Sequence, residues 1–217
     1  MRDLIKQEQF ELETLNALNS ERLLGNLIFG GGTMLRLCFG LNRFSVDLDF
    51  WVVNKIDRKE TFRKIKECLS RSYTVKDAAE KFYTLLFEIK SPNYPRNLKV
   101  EIRKEPKKIT TETSIAYSSN SNHQVFLRIV SLPDMMRSKI EAFLSRGEIR
   151  DAFDLEFLVK KGVRPDGPPE TLEQVLKKID SLTKNDYAVK LAPLIAPEER
   201  KYYLKENFKI LKAAIRR

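Results

Sequence analysis

The chain has 217 residues, of which 42% are hydrophobic and 32% charged, and its formal net charge is +10. These values are typical of a globular protein of one or two domains and exclude disordered and collagen-like chains. No stretch reaches the roughly 18 apolar residues of a transmembrane helix, and the first residues lack the apolar centre of a signal peptide. Two cysteines, Cys38 and Cys68, are too few for a disulfide framework. We therefore expect a cytoplasmic protein with no membrane partner.

The positive charge is concentrated in the middle of the chain. Residues 90–150 contain twelve Lys and Arg against six Asp and Glu, whereas residues 1–89 contain fourteen against thirteen. An excess of this kind favours a polyanionic partner, such as a nucleoside triphosphate, RNA or DNA. The alternative is a solvated basic surface without a partner.

Apolar spacing and alternation predict the elements of the first half of the chain. In chain order these are one or two helices over 3–24, a strand at 26–29, a helix at 33–40, a strand at 46–53, a helix over 57–72, and strands at 83–89 and 98–103. Asp57 and Glu60 have the spacing of a capping box at the start of the helix that follows the second strand.

The strand pattern ends near residue 131. Ser131, Pro133 and Asp134 have the spacing of a helix start, and we predict helices at 132–146, 150–161, 171–182 and 197–214. The last of these mixes basic residues with aromatics, which fits either an RNA-binding face or an amphipathic core helix with a solvated basic face. The sequence thus predicts an α+β fold, with an α/β domain over 1–128 and a helical domain over 129–217.

Three glycines and Thr33 lie between the strand at 26–29 and the next helix. Glycine lets the backbone approach an anion closely, and a helix N-terminus attracts negative charge. Thr33 adds a hydroxyl donor. By itself this pattern also fits an ordinary tight turn.

Asp47 and Asp49 are two residues apart on a predicted strand, so both carboxylates lie on one face while Leu48 and Phe50 point into the core. Adjacent carboxylates repel each other, and a divalent cation such as Mg²⁺ is their usual partner. Many such pairs are instead solvated residues at strand ends. Glycosyltransferases also use Asp-x-Asp, but the chain lacks their longer Rossmann-like architecture.

The two motifs together are more specific than either alone. Thirteen residues separate Thr33 from Asp47, enough for one short helix. A phosphate-binding turn and a pair of metal-binding carboxylates would then lie on neighbouring strand ends. Metal-dependent nucleotidyl transfer requires this arrangement.

The residues resemble the AbiEii-type nucleotidyltransferases, which belong to the polymerase-β-like superfamily. The first signature is carried by Phe29–Arg36 and by Arg43–Phe50. The second, a helical lysine followed by an Arg-Asp-x-x-Asp helix, is matched by Lys139 and Arg150–Leu155. The resemblance implies a mixed sheet with flanking helices, followed by a helical part that completes the nucleotide site.

The resemblance also implies roles for individual residues. The implied catalytic residues are Asp47, Asp49, Lys139, Asp151 and Asp154. The implied nucleotide-binding residues are Gly31, Gly32, Thr33, Arg43, Ser45, Lys139 and Arg150. Mg²⁺ or Mn²⁺ would be held by Asp47 and Asp49, with Glu101 or, less favoured, Glu88 as a third carboxylate.

Several of these residues have structural alternatives. Glu101 could form an ion pair with Lys99 or Arg103. Arg150 and Asp154 have the spacing of an i,i+4 pair on a helix. Arg43 could bind a phosphate or hold Asp47 in place. We expect Lys139 to be an exposed lysine, whose removal lowers affinity for NTP and leaves the melting temperature unchanged.

The function implied by the resemblance is transfer of a nucleoside monophosphate from an NTP to an acceptor hydroxyl. RNA, including tRNA, is the expected acceptor, and the protein is expected to be the toxin of a toxin–antitoxin pair with a cognate antitoxin as partner. The competing hypothesis is a non-catalytic nucleotide- or RNA-binding protein that has kept the pocket. The intact Asp47 and Asp49 argue against it.

Overall fold

The computed structural model describes residues 2–53 and 56–216, which form two compact units. The first, here called the sheet unit, contains the described residues up to 40 and from 44 to 130. The second, called the helical unit, contains residues 41–43 and 131–216. The two units are therefore not separated by a single boundary in the sequence, because three residues between the first two strands belong to the helical unit.

A mixed sheet with three helices forms the sheet unit. Its helices are α1 (Arg2–Ser20), α2 (Gly31–Phe39) and α3 (Arg58–Ser72), with a short 3₁₀ helix at Leu23–Asn26. Its strands within the described residues are β1 (Leu27–Gly30), β2 (Asp47–Val52), β3 (Thr74–Glu80), β4 (Thr84–Lys90), β5 (Leu98–Arg103), β6 (Thr111–Ala116) and β7 (Val125–Val130). The strand order is β3-β4-β5-β2-β1-β7-β6, and the β2–β5 and β1–β7 pairs are parallel.

Along β5 and the first half of β2, alternate residues separate a buried face from a polar face. Leu48 and Phe50 of β2 are buried, as are Val100 and Ile102 of β5. Helices α1 and α3 pack on this sheet through contacts with β4, β5 and β7. The face that carries Asp47, Asp49 and Glu101 is the opposite one, and we refer to it as the polar face.

The helical unit contains α4 (Leu132–Arg146), α5 (Ile149–Lys160), α6 (Pro169–Asp180), α7 (Pro197–Glu206) and α8 (Lys209–Ile215). A π-helical turn at Asp186–Leu191 and a 3₁₀ turn at Ala192–Leu194 connect α6 to α7. Ser131 caps α4 by accepting from the backbone N–H of Asp134 at 3.4 Å, as the sequence predicts. Phe143, Phe153 and Phe208 are fully buried and form much of the unit's core.

The predicted α+β fold is confirmed, with two differences in its elements. Strands β3, β6 and β7 were not predicted. Strands β3 and β6 are the sheet edges and bury few side chains, so their apolar alternation is weak. The single helix predicted at 197–214 is wrong, because Asn207 and Phe208 have φ values of 46° and 54° and divide it into α7 and α8.

No helix in the described parts of the chain combines the length and apolar character needed to cross a membrane.

Candidate active site

The glycine turn between β1 and α2 lies against the strand that carries Asp47 and Asp49. Strand β1 ends at Gly30, and Gly31 begins α2 with a φ of +73°, a backbone conformation that glycine adopts without strain. A Cβ atom at Gly31 would overlap Oδ2 of Asp49. The carboxylate of Asp49 therefore lies directly against the backbone of the turn, and glycine is required there for both conformation and space.

The two aspartates lie side by side on the polar face. Strands β1 and β2 are antiparallel, and Gly30 pairs with Asp49 in their register. Asp47 and Asp49 are half-buried, whereas Leu48 and Phe50 between and after them are buried. The expected proximity of the glycine turn and the carboxylate strand is therefore observed within the sheet unit.

Thr33 has a different role from the one predicted. Its side chain is fully buried, and its hydroxyl donates to the backbone carbonyl of Asp47 at 2.6 Å. A buried donor used in this way is not available to a phosphate. Thr33 therefore connects α2 to the start of β2 and fixes the position of the first aspartate relative to the turn.

Glu101 is a strand neighbour of the aspartates. In the parallel β2–β5 pair it lies opposite Asp49, while Lys99 lies opposite Asp47. Among residues 2–53 and 56–216, no three His, Cys, Asp or Glu side chains approach closely enough to hold one metal ion. Glu101 is thus adjacent to the pair without completing a three-carboxylate site. Glu88 is farther away, on β4, where it accepts a hydrogen bond from Asn97 at 2.6 Å.

The residues of the second signature form an ionic cluster inside the helical unit. Lys139 of α4 contacts Asp154 at 2.6 Å and Asp151 at 3.1 Å, both on α5. Arg43 donates from Nε and Nη2 to the two oxygens of Asp154 at 2.6 and 2.7 Å. Arg146 donates to both oxygens of Asp151 at 2.7 Å. Three cations and two carboxylates therefore alternate in one chain of contacts.

Four of the five side chains in this cluster are almost completely buried, and Arg146 is the exception. Asp151 and Asp154 are 0% exposed and Arg43 is 3% exposed, while the side chain of Arg146 is 54% exposed. Burial alone would raise the pKa of Asp154, but the charges of Arg43 and Lys139 and their hydrogen bonds hold its pKa below the ordinary value of 3.8. Both carboxylates are therefore bound to cations, and Arg146 is the exposed end of the cluster.

One expectation about these residues is wrong. Lys139 is 7% exposed, so it is not a surface lysine. Asp154 pairs with Arg43 and Lys139, whereas the alternative that the sequence left open was a pair between Asp154 and Arg150. Strand β2 begins at Asp47, so Arg43 and Ser45 lie in the loop that precedes it.

Two groups near the predicted residues were missed. Arg146 lies seven residues after Lys139, which places both on one side of α4, and this spacing was the available signal. Glu11 of α1 is fully buried, and neither of its carboxylate oxygens has a hydrogen-bond partner among the described residues. Burial is the largest cause that raises its pKa well above 4.5, and the charges of Glu8 and Asp47 add to it.

Comparison with known proteins adds the deciding observation. A family model described as the nucleotidyl transferase AbiEii toxin of type IV toxin–antitoxin systems matches residues 14–212, which is most of the chain. The chain belongs to this family. A comparison with curated proteins finds no match.

Solved structures support the fold of this AbiEii-family protein. It is similar to JHP933 from Helicobacter pylori, with 23% identity, a TM-score of 0.53, and coverage of 93% of this chain and 94% of the other. It is also similar to MenT4, a nucleotidyltransferase toxin from Mycobacterium tuberculosis H37Rv, with 16% identity, a TM-score of 0.55, and coverage of 94% and 85%. At these identities the likeness establishes the nucleotidyltransferase fold.

Membership in the AbiEii family establishes the coarse activity: the chain is a nucleotidyltransferase of a toxin family. The family match covers most of the sheet unit and most of the helical unit.

Proposed function

We propose that this protein transfers a nucleoside monophosphate from an NTP to a hydroxyl group of RNA, in a reaction that requires Mg²⁺ or Mn²⁺. The observation that carries the proposal is the contact between the Gly31 backbone and the Asp49 carboxylate. It places a turn suited to phosphates beside a group suited to a divalent cation, as the transfer of a phosphoryl group requires.

The donors on the polar face fit Mg²⁺. Asp47 and Asp49 offer hard oxygen ligands on one side of β2, and Glu101 is the neighbouring carboxylate in register. Mg²⁺ in nucleotide enzymes is usually held by one or two carboxylates together with phosphate oxygens and water, so two aspartates are sufficient. When bound, the ion neutralises phosphate charge and makes the acceptor hydroxyl a better nucleophile.

The turn at Gly31 and Gly32 is the proposed site for the triphosphate. Its residues begin the nine-residue helix α2, and Gly30 at the N-cap has no side chain to bind the first N–H groups. These donors and the positive end of the helix attract an anion. Because these residues are glycines, no side chain would separate the bound phosphates from the carboxylate of Asp49.

The helical unit contains a positively charged cluster of its own. The cluster of Arg43, Lys139, Arg146, Asp151 and Asp154 has three positive and two negative charges, and its exposed end is Arg146. Within this unit, the two aspartates hold Lys139 at a fixed position. Whether Lys139 itself contacts a phosphate, and whether Asp151 and Asp154 take part in catalysis, stay predictions.

Support for RNA as the acceptor comes from the charge distribution. The chain carries +10, and the excess of six positive charges falls in residues 90–150. Such an excess favours a polyanion over a small neutral acceptor. The type IV toxin–antitoxin family also supports a toxin role with an antitoxin encoded as its counterpart.

The experiment is a labelling assay. Purified protein is incubated with total RNA, Mg²⁺ and each α-labelled NTP in turn, and RNA, protein and small molecules are then separated. We expect one NTP to label an RNA band and EDTA to abolish the label. Asp49→Asn should reduce the rate by orders of magnitude, because metal-dependent transfer requires the charge of the ligand.

A matched control uses a carboxylate of the same sheet that lies away from the site. Asp77 is an exposed residue of the edge strand β3, and Asp77→Asn should transfer at the rate of the unmodified protein. Label on protein would retain the transfer reaction and refute the RNA acceptor. Bound NTP with no labelled product in any fraction would favour the non-catalytic alternative.

A further inference from the structure

A cavity of about 320 Å³ lies on the sheet unit near the ends of β2 and β5. Its walls include Trp51, Tyr83, Arg103 and Lys107. Trp51 is two residues after Asp49 on β2, and Arg103 is two residues after Glu101 on β5, so these side chains share the polar face. Two residues of strand correspond to a displacement of about 7 Å, which places the cavity next to the proposed transfer site.

The inner wall of this cavity is fixed to the glycine turn. A Cβ atom at Gly30 would overlap the ring of Trp51, so the indole lies directly on the Gly30 backbone. Trp51 pairs in register with Arg103, whose guanidinium lies 5.7 Å from the centre of an indole ring. Trp51 is only 7% exposed. The wall is therefore rigid, and its position depends on the same turn that contacts Asp49.

Tyr83, which lines the cavity, belongs to an exposed aromatic pair with Phe82. Tyr83 is 66% exposed and Phe82 is 82% exposed, both in the turn between β3 and β4. Their rings are 4.5 Å apart in an edge-to-face arrangement. Neighbouring large aromatic side chains with this exposure are a feature of binding surfaces, since such rings are otherwise buried.

The chemistry of these walls suits a nucleobase. Aromatic rings stack on bases of any sequence, and nearby Arg and Lys attract the phosphates of the strand. The segment from Arg103 to Lys108 contains four basic residues and one acidic residue. The ring of Phe82 contacts that of Tyr83 but does not line the cavity, so the aromatic surface continues beyond the space that the single base of an NTP would fill.

We propose that this cavity binds a base of the acceptor RNA strand, with Tyr83 as the principal stacking surface and Phe82 continuing it outward. The inference rests on the proposed function, because it gives the acceptor a place beside Asp49. It assigns single-stranded RNA as the ligand class, since a base in a duplex is not free to enter the cavity.

Trp51 is the one tryptophan of the chain and therefore reports directly on this cavity. Its fluorescence is measured while an oligouridylate of about ten nucleotides is added without NTP or metal. We expect saturable quenching. An abasic oligonucleotide of the same length, which keeps the phosphates, should bind more weakly and leave the fluorescence unchanged. ATP, GTP, CTP and UTP tested singly should not quench it.

Three substitutions test the stacking role, with affinity measured by anisotropy of a labelled oligouridylate. Tyr83→Ala should weaken binding at least about five-fold, the lower limit for losing one base–aromatic stack, and Phe82→Ala should weaken it less. Tyr83→Phe should retain the affinity, because it keeps the ring. Tyr117→Ala is the control, since Tyr117 is 57% exposed in the same unit and does not line the cavity.

The proposal is overturned if Tyr83→Ala binds the oligouridylate as the unmodified protein does, or if the abasic strand quenches Trp51 equally. Quenching by a single NTP that Tyr83→Ala abolishes would assign the cavity to the NTP and also refute it. These measurements involve no turnover. Failure of RNA labelling with intact oligouridylate binding would therefore refute the proposed function separately from the base-binding cavity.

Discussion

Buried charges have opposite environments in the two units. In the helical unit Asp151 and Asp154 are fully buried, and each has two cationic partners. In the sheet unit Glu11 is equally buried, yet its oxygens accept no hydrogen bond within the described residues. Desolvation disfavours a charge unless partners compensate for it. The charges of Arg43 and Lys139 outweigh the effect of burial and lower the pKa of Asp154, whereas burial raises the pKa of Glu11 and favours its protonated form.

Removing Lys139 should destabilise the protein. Lys139→Met would leave the buried Asp151 and Asp154 with fewer partners, and breaking a buried ion pair from one side costs about 3–5 kcal/mol. Thermal unfolding should therefore show a clear decrease in melting temperature. Lys177→Met is the control, because this side chain is 73% exposed and surface substitutions change stability by about 0.5 kcal/mol or less. An unchanged melting temperature with weakened NTP binding would favour the exposed, nucleotide-binding lysine expected from the sequence.

Glu11→Gln should stabilise the protein at neutral pH. Burial raises the pKa of Glu11 in the folded state above 4.5. Below the pKa that Glu11 has in the unfolded state, the carboxyl is protonated in both states and the protein has its full stability. Stability is then lost as the pH rises through the folded pKa. Urea unfolding should show the variant more stable at pH 8 and nearly equal to the unmodified protein at pH 4. A constant difference between the two proteins across this range would contradict the titration.

At the scale of elements, the strand–turn–helix of β1 and α2 positions the carboxylate strand. Gly31 contacts Asp49, and Thr33 holds the carbonyl of Asp47, so the turn contacts both aspartates from one side. The hydrophobic side chains of β2 anchor it to the core from the other face. The geometry of the site is therefore a property of two adjacent elements, and it does not depend on one long loop.

Thr33→Val should weaken this connection. Valine has the shape of threonine without the hydroxyl, so the carbonyl of Asp47 would lose its donor at a cost of about 1–3 kcal/mol. Chemical denaturation should detect the loss, and transfer activity should fall with it. Thr33→Ser keeps the donor and should recover most of both. If Thr33→Val is fully stable and binds NTP more weakly, the hydroxyl contacts phosphate as the sequence alone predicted.

For the whole molecule, the net charge of +10 should make RNA binding depend strongly on salt. Cations released from the RNA drive such binding, and a single strand gives a log–log slope of about −0.7 for each phosphate contact. The affinity for oligouridylate should fall more than about ten-fold between 50 and 200 mM salt. A salt-independent affinity would exclude phosphate contacts as a main source of binding.

Substitutions of single lysines test which surface of the protein makes the phosphate contacts. Lys108 is exposed in the basic segment after β5, and Lys66 is exposed on α3, which packs on the other face of the sheet. Lys108→Gln should reduce the salt slope by about 0.7, whereas Lys66→Gln should leave it unchanged. Equal slopes for the two variants would indicate that the basic segment is not the RNA-binding surface.

The sequence by itself predicted the elements whose local signals are strong. Strand β5 was placed at its observed residues, and the capped starts of α3 and α4 were found because Asp57 and Ser131 act within one turn of their own helices. It also predicted the carboxylate pair, because alternation along one strand is a local property. Edge strands β3 and β6 were missed because they bury little, and the break at Asn207 was missed because nothing in that stretch requires a positive φ.

Only the tertiary structure decided which partner each polar group has. The sequence determined the family, the α+β class and the residues Asp47 and Asp49, since these follow from residue type and short spacing. It could not show that Thr33 binds Asp47, or that Arg43 binds Asp154 across 111 positions of the chain. Burial and ion pairing depend on contacts between distant segments, and those contacts exist only once the elements have packed.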